Sequence, residues 1–285
     1  MFDRTPITKS APASAASAIA PSTDIGHWRS ALLRNTHAWR ACAYSARIDA
    51  SMPRLVSRWT TATRASRAAI DATIADAFEV GARVTERLEV VVCNDGSRDA
   101  TAAIVRGTRA RLIDREVNAG IEASMRALYA EARHAWIFLM SADRQWPMTT
   151  LEPMAEAAAG GADFVIGVRS NKRAIYTPYR RVVSWGYERI VRALGAPGGD
   201  PGSIKLARRE LLHAPVAARG VFAEGERVIR AARGGARVVE VPVEFHKRGA
   251  GKATGARTQV VATALTDAVR VAASLAVGWP RPKRP

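Results

Sequence analysis

Cysteine is scarce in this sequence: Cys42 and Cys93 are the only two among 285 residues, and no CxxC pair occurs. Two cysteines without metal-ligand spacing exclude a disulfide-framework protein and a zinc module. Cys93 lies in an apolar stretch and is interpreted as a packed core residue. The chain must therefore be stabilised by a hydrophobic core, for which its 48% hydrophobic residues suffice. This cysteine usage is typical of a reducing cytosol.

Acidic residues are also in deficit, with 26 Asp and Glu against 43 Lys and Arg, which gives a net charge of +17. Such a charge attracts any polyanion, so a basic nucleic-acid-binding protein is one hypothesis. The sequence contains no helix-turn-helix, zinc-finger or aromatic RNA-binding motif, and we therefore expect no specific nucleic acid as a partner. A surface for phosphorylated substrates or for anionic lipid explains the charge equally well.

Long apolar runs are absent from residues 1–69, which have no h-region of a signal peptide and no sustained strand or helix periodicity. Only the fragment Leu55-Val56 offers a strand there. We interpret residues 1–69 as an atypical basic segment that is disordered or out of register with the ancestral reading frame. At the other end, residues 258–277 are apolar but interrupted by Asp267 and Arg270. These charges favour a docked or interfacial helix over a membrane span.

From Ile70 onward, apolar runs of strand length alternate with amphipathic segments of helix length. This alternation predicts an α/β fold with a Rossmann-like, mostly parallel sheet and helices on both faces. A first helix is expected to end near Gly81, and Pro242 predicts an edge position for the last strand. The predicted strands are 88–93, 111–114, 136–140, 163–168, 204–207 and 238–245, and the later helices include 149–159, 179–194, 224–233 and 258–277.

Polar turns follow two of the predicted strands. In an open α/β sheet, ligands bind just outside the carboxyl ends of the strands, so residues of these turns are candidates for a binding site. A second interpretation of Asp143 is that its carboxylate only caps the helix that starts near Pro147. The candidates are Asp95, Gly96 and Ser97 after the first strand, and Ser141, Asp143 and Gln145 after the strand 136–140.

Four sequence stretches in the same order resemble the family 2 glycosyltransferases, which have the nucleotide-sugar-binding GT-A fold. VVVCNDGSRDAT resembles the first signature of that family, and SADRQWP occupies the place of its DAD-x-Q-x-P signature. DFVIGVR is similar to its ADFVIGSR strand, and GERVIRAARGGARVVEVPVEFHKRGAGK is similar to its closing pattern. The resemblance covers about Ile70 to Lys252 and is nearest to the polyprenyl-phosphate sugar transferases, similar to dolichol-phosphate mannosyltransferase.

The resemblance implies three regions and one reaction. Residues 1–69 are the atypical segment, 70–252 a glycosyltransferase-like domain, and 253–285 a carboxyl-terminal helix and basic tail. The implied reaction is inverting, metal-assisted transfer of a sugar from a UDP- or GDP-linked donor to a polyprenyl phosphate, with Mg or Mn as cofactor. The implied location is the cytoplasm or, peripherally, the inner face of the cell membrane, in the synthesis of cell-envelope glycans.

The resemblance also implies roles for individual residues. Asp143 would be the metal ligand and a catalytic residue, and Glu226 a catalytic residue that positions substrate or acceptor. Arg169 and Arg173 would grip phosphate oxygens, and Arg248 and Lys252 would bind the acceptor phosphate. The full set expected to bind the nucleotide sugar is Asp95, Gly96, Ser97, Ser141, Gln145, Arg169 and Arg173.

Two departures from the family pattern support a different hypothesis about the function. Ser141 stands where the family has an acidic residue, which removes one charge from the expected metal and nucleotide site. The apolar first strand of the family, with its Tyr-Asn turn, is not recognisable before Ile70. A catalytically impaired binding or scaffold protein with this fold is therefore an alternative to an active transferase.

Overall fold

Seven strands form one sheet in the order β3-β2-β1-β4-β6-β5-β7. The structure is a computed structural model that describes residues 55–61, 67–246 and 258–277, with the backbone alone at 55–61 and 67–69. Among the described strands, β6 is antiparallel to β4 and β5, and every other pair is parallel. The predicted α/β class is confirmed. The strands are β1 (Leu55–Thr61), β2 (Glu89–Asp95), β3 (Arg111–Arg115), β4 (Trp136–Ser141), β5 (Phe164–Arg169), β6 (Lys205–Arg208) and β7 (Val238–Val243).

Helices follow most of the strands and cover both faces of the sheet. A 3-10 turn, Met148–Thr150, leads into the helix Leu151–Ala159, and the segment after β5 contains a one-turn helix, Lys172–Ile175. The helices are α1 (Arg67–Val84), α2 (Thr101–Arg106), α3 (Ile121–Ala130), α4 (Leu151–Ala159), α5 (Lys172–Ile175), α6 (Pro178–Ala193), α7 (Arg209–His213), α8 (Ala223–Arg233) and α9 (Thr258–Ala276).

The central strand β1 is the main difference from the expectation. The sequence predicts only the fragment Leu55-Val56, but Leu55–Thr61 is hydrogen-bonded to β2 on one side and to β4 on the other. Backbone N–H and C=O groups pair whatever the side chains are, and two parallel neighbours offer unpaired groups on both sides. The structure thus places residues 55–61 in the sheet, where the sequence predicts only the fragment Leu55-Val56. Residues 1–54 and 62–66 lie outside the described residues, and the interpretation of 1–69 as an atypical segment, disordered or out of register, stays a prediction.

Gly81 does not end the first helix, which continues to Val84. A Cβ atom at Gly81 would lie 2.5 Å from Cδ2 of Leu88, just before β2. The absence of a side chain therefore permits close packing of the helix on the following segment. A glycine is typical both of a helix end and of a site where a helix packs closely on its neighbour, so the sequence does not distinguish the two. The predicted end of the first helix near Gly81 was wrong for this reason.

Alternate residues of the strands point to two separate cores. Val90 and Val92 of β2 pack on one face with α1 and α4, whereas Val91 and Cys93 pack on the other with α3, α8 and α9. Cys93 is fully buried, and burial raises the pKa of its thiol. This two-sided burial explains why the strands read as continuous apolar runs.

The carboxyl-terminal elements agree with two expectations. β7 pairs with β5 on one side, so Pro242 lies on an edge strand as predicted. Helix α9 packs through Ala268 and Val271 against the second core. In the part of the chain that the structure describes, no helix has the length and apolar character needed to cross a bilayer.

Candidate active site

The turn after β4 is held in shape by the Asp143 carboxylate. Its Oδ1 accepts hydrogen bonds from Ser141 Oγ (2.7 Å) and from the backbone N–H of Gln145 (3.2 Å). Arg144 between them has φ of +54°, a left-handed conformation that is uncommon for a residue other than glycine. The 3-10 turn that follows has no side-chain cap. The interpretation of Asp143 as a helix cap is therefore wrong, and the carboxylate instead fixes a strained turn at the carboxyl end of β4.

Gln145 joins this turn to the chain that leaves β7. Its carbonyl oxygen accepts from the N–H of His246 (2.7 Å), and its side-chain Nε2 donates to the carbonyl oxygen of His246 (3.2 Å). The predicted acceptor-phosphate residues Arg248 and Lys252 lie outside the described residues. Residue 246, however, fixes the start of their segment against the Asp143 turn.

The turn after β2 is organised by Asp95. Its two carboxylate oxygens accept from the backbone N–H groups of Ala119 (2.9 Å) and Gly120 (3.0 Å), directly before α3. Gly96 has φ of +73°, and a Cβ there would lie 2.6 Å from the backbone nitrogen of Asn118. The Asp95 carboxylate and the glycine thus bring two loops into contact. As a result, Asp95 is 6% exposed and is largely engaged by the protein itself.

The two turns lie at the same edge of the sheet. In the strand register, Thr61 of β1 pairs with Asn94 on one side, and Thr60 pairs with Ser141 on the other. The turns are thus separated by one strand, or about 10 Å at ordinary strand spacing. This juxtaposition depends on β1, which the sequence did not predict.

Arg169, at the end of β5, is engaged by Asp200, which is not among the site residues expected from the sequence. Its Nε and Nη2 donate to the two carboxylate oxygens of Asp200 at 2.6 and 2.5 Å. Its guanidinium carbon lies 5.2 to 5.4 Å from the ring centroids of Trp146, Tyr176 and Phe245. Burial opposes its charge, but the hydrogen bonds and charge of Asp200 outweigh that and raise the pKa of Arg169.

The Arg169–Asp200 pair belongs to a larger buried network. Lys172 Nζ lies 2.5 Å from Glu188 Oε1 and 3.3 Å from Asp200 Oδ2, and Asp200 is 2% exposed. The arrangement directs Arg169 toward the protein, so its expected grip on a phosphate stays a prediction. Arg173 is exposed on α5, and its carbonyl oxygen accepts from Arg181 Nη2 at 3.0 Å.

Glu226 is fully buried in α8. Its oxygens accept from the N–H groups of Ala217 and Ala218, both at 2.8 Å, and from Nε of Arg230 at 2.7 Å. In this structure Glu226 therefore holds the segment before α8 and pairs with Arg230. Its expected role in positioning substrate or acceptor stays a prediction.

Glu224, two residues earlier in α8, is not among the site residues expected from the sequence. Its oxygens accept from Lys205 Nζ (2.6 Å), from the Tyr129 hydroxyl (2.8 Å) and from Nη1 of Arg227 (2.9 Å). Burial raises its pKa, but the charges of Lys205 and Arg227 exceed that effect, and the pKa of Glu224 is lowered. Three hydrogen-bond donors hold the buried Glu224 carboxylate rigidly in its ionised form. Glu224 is therefore suited to a structural role and not to donating a proton.

Glu224 and Arg169 line a cavity of about 490 Å³ between α3, α6 and α9. The polar groups are few, and most lining side chains are apolar. Because Arg169 also stacks on Trp146 beside Gln145, it connects this cavity with the Asp143 turn. The apolar lining includes Ile121, Met125, Val182, Val183, Ile190, Val221, Phe222, Val260, Val261 and Leu265.

A metal ion would find one strong ligand here. Among the residues that the structure describes, no three His, Cys, Asp or Glu side chains converge on one point. Mg²⁺ in nucleotide sites is commonly held by one or two carboxylates together with substrate phosphates. Asp143, assisted by the neutral Ser141 hydroxyl, fits that kind of site and does not fit a cage made by protein ligands alone.

Comparison with known proteins agrees with this architecture. A family model described as "Glycosyl transferase family 2" matches residues 61–214. A dolichyl-phosphate hexose transferase of Haloferax volcanii is 31% identical over 169 residues, which cover 58% of this chain and 74% of that protein.

Two solved structures share the fold at low sequence identity. Glucosyl-3-phosphoglycerate synthase from Mycobacterium tuberculosis, in complex with phosphoglyceric acid, has a TM-score of 0.60 at 18% identity and covers 76% of this chain and 80% of its own. Mannosyl-3-phosphoglycerate synthase from Rubrobacter xylanophilus has a TM-score of 0.61 at 15% identity, covering 81% and 79%. The GT-A fold expected from the four motifs is thereby confirmed.

Proposed function

The chain belongs to glycosyltransferase family 2, and from this membership we propose that it transfers a sugar from a UDP- or GDP-linked donor to a polyprenyl phosphate, with inversion at the sugar. The observation that carries the proposal is the pair of carboxylate turns, at Asp95 and Asp143, one strand apart at the same sheet edge. Their separation suits a nucleotide that lies across the end of β1.

The donor would lie with its nucleoside against the Asp95 turn and its diphosphate against the Asp143 turn. Since the Asp95 carboxylate holds Ala119 and Gly120, Asp95 supports the nucleoside pocket as well as lining it. Gly96 and Ser97 would contact the nucleoside, and Ser141 and Gln145 the diphosphate side. Arg173, exposed on α5, is the arginine best placed by exposure to meet a phosphate, whereas Arg169 would act by orienting Asp200 and the aromatic residues around it.

Asp143 would hold Mg or Mn, which neutralises charge on the departing nucleoside diphosphate when it is bound. Support comes from related folds, since the M. tuberculosis synthase has been crystallised with Mn²⁺ and UDP. In this chain the Ser141 hydrogen bond and the Gln145 N–H keep Oδ1 of Asp143 in place. The residues therefore supply one orienting carboxylate, and donor phosphates would complete the ion's shell.

The acceptor phosphate would approach from the side of β7. A phosphate is already anionic near neutral pH, so its attack on the sugar does not need a strong general base. Arg248 and Lys252 would attract it, and Gln145 fixes the start of their segment at His246. The Haloferax volcanii relative is a dolichyl-phosphate hexose transferase, which supports a lipid phosphate. Catalysis would then take place at the cytoplasmic face of the membrane.

Calorimetric titration tests the donor site. The full chain is titrated with UDP and GDP, each with and without Mn²⁺ or Mg²⁺, beside Asp143→Ala and the matched control Glu86→Ala. Glu86 is exposed in the loop between α1 and β2, at the opposite edge of the sheet. We expect metal-dependent binding of one nucleotide that Asp143→Ala abolishes and Glu86→Ala keeps.

Turnover with a short polyprenyl phosphate separates the active enzyme from the alternative that Ser141 favours, a protein that binds nucleotide sugar without transfer. Formation of a glycosylated lipid phosphate supports the proposal. Binding of nucleotide without any product, under conditions where a related transferase is active, supports the alternative. No binding of either nucleotide contradicts both.

A further inference from the structure

Helix α9 has only two charged residues in its described length, Thr258–Ala276, and they pair with each other. Asp267 is 1% exposed and accepts from the backbone N–H groups of Arg219 and Gly220, whereas the side chain of Arg270 is 38% exposed. A solvent-facing helix side ordinarily carries charges. Exposed apolar residues recur every three or four positions, at Ala262, Leu265, Val269, Ala272 and Ala276, and the exposed Thr263 and Thr266 lie to one side of them.

Helix α6 exposes a second apolar stripe with arginines beside it. Val182 and Trp185 are 66% and 61% exposed, and the guanidinium carbon of Arg189 lies 5.6 Å from the Trp185 ring centroid. Arg181 and Arg192 are exposed on the same side of the helix. The acidic residue of α6, Glu188, is paired with Lys172 toward the protein. Neither helix therefore presents a carboxylate to the solvent.

These two stripes belong to one surface. Val182 of α6, Leu265 of α9 and the partly exposed Val221 all line the mouth of the same cavity. Trp185 and Val269 extend it by one helical turn on either side. We call Val182, Trp185, Val221, Leu265 and Val269 the apolar rim.

We propose that the apolar rim is a docking surface for an anionic lipid bilayer. An apolar stripe with an interfacial tryptophan and adjacent arginines is the combination that binds the boundary between headgroups and acyl chains. Each arginine near an anionic surface adds an attraction that an uncharged surface lacks. Membrane docking is inferred from the exposed residues of the apolar rim alone. The further step, that docking admits a lipid-phosphate acceptor to the cavity, rests on the proposed function.

Charge decides against a second copy of the chain as the occupant. A two-fold contact places the same patch on both partners, so Arg181, Arg189 and Arg192 of one copy would face the same three arginines of the other. No exposed carboxylate of α6 or α9 would offset that repulsion. A phosphatidylglycerol surface has the complementary charge.

Vesicle flotation of the full chain tests the inference. Vesicles of phosphatidylcholine alone are compared with vesicles that also contain phosphatidylglycerol, for wild type, Val269→Glu and Arg189→Ala. The matched control is Val117→Glu, because Val117 is 77% exposed, close to the 72% of Val269, but follows β3. Circular dichroism verifies folding, and Val269→Ser replaces Val269→Glu if that variant unfolds.

We expect wild type to bind the anionic vesicles, and Val269→Glu to bind about tenfold more weakly because it loses apolar burial and gains a repelled charge. Arg189→Ala should bind about fivefold more weakly, and Val117→Glu should bind as wild type. Absence of wild-type binding, or equal binding by Val269→Glu, would overturn the inference. So would light scattering that shows a dimer which Val269→Glu dissociates.

Failure of the docking surface and failure of the proposed function have different signatures. Nucleotide titration without vesicles should be the same for wild type and Val269→Glu. Vesicle binding without any sugar transfer leaves the docking surface in place and removes the proposed acceptor. Sugar transfer without vesicle binding leaves the proposed function in place and removes the docking surface.

Discussion

Replacing Ser141 by aspartate restores the acidic pair of the family signature. The structure predicts that this change lowers the melting temperature without metal and raises it when metal and nucleotide are bound. Ser141 Oγ donates to Asp143 Oδ1 at 2.7 Å. A carboxylate in its place removes that donor and puts two negative charges about 4 Å apart, a repulsion of about 1 to 4 kcal/mol between water-like and surface-like screening. Because both residues are partly exposed, we expect the lower half of that range.

Without metal, Ser141→Asp should therefore lower the melting temperature by about 2 to 10 °C, using about 2 to 4 °C per kcal/mol for a domain of this size. With Mn²⁺ and UDP or GDP, the added carboxylate should tighten metal binding about 10- to 100-fold and reverse the loss. Differential scanning fluorimetry in EDTA and in Mn²⁺ measures the first effect, and calorimetry measures the second.

Two further variants isolate the cause. Ser141→Ala removes the hydrogen bond without adding charge, so its melting temperature should fall equally in EDTA and in Mn²⁺. Asp143→Asn combined with Ser141→Asp removes the repulsion and should restore the melting temperature in EDTA. Identical melting of Ser141→Asp in EDTA and in Mn²⁺ with nucleotide would refute the assignment of this turn as the metal site.

Three other changes test the fold around the site. Asp95→Ala leaves two backbone N–H groups before α3 without their acceptor. Urea unfolding should therefore show a loss of about 1 to 3 kcal/mol of stability, and nucleotide binding should be weaker. A loss of binding at unchanged stability would contradict the structural role of Asp95. The pKa of Glu224 is lowered in the folded protein, so the stability from its ionisation is present above its ordinary pKa and lost as pH falls through the folded value. Urea unfolding between pH 7 and pH 3 should therefore show a decline that is shallower in Glu224→Gln, and equal slopes would argue against the ion network. Gly167→Ala would place a Cβ 2.7 Å from Cγ1 of Ile204 and should cost about 1 to 3 kcal/mol in the same assay, whereas unchanged stability would show that Ile204 repacks freely.

The sequence itself determined the α/β class and most of the element order. Strands buried on both faces leave continuous apolar runs, and the turns after 88–93 and 136–140 carry the polar residues of the site, so local pattern located Asp95 and Asp143. The family motifs added the expectation of a nucleotide-sugar donor, which stays a proposal, and the match over residues 61–214 confirmed the family. These features are readable because each depends on residues that are neighbours in the chain.

Tertiary structure alone decided the rest. The strand β1 is defined by hydrogen bonds to β2 and β4, and no local apolar pattern predicts its full length. The engagement of Arg169 by Asp200, 31 positions away, and of Glu224 by Lys205 depends on which buried charges the packing brings together. Burial without a partner is costly for a charge, so the fold, and not the motif, determines which charged residues are used for structure and which remain at the site.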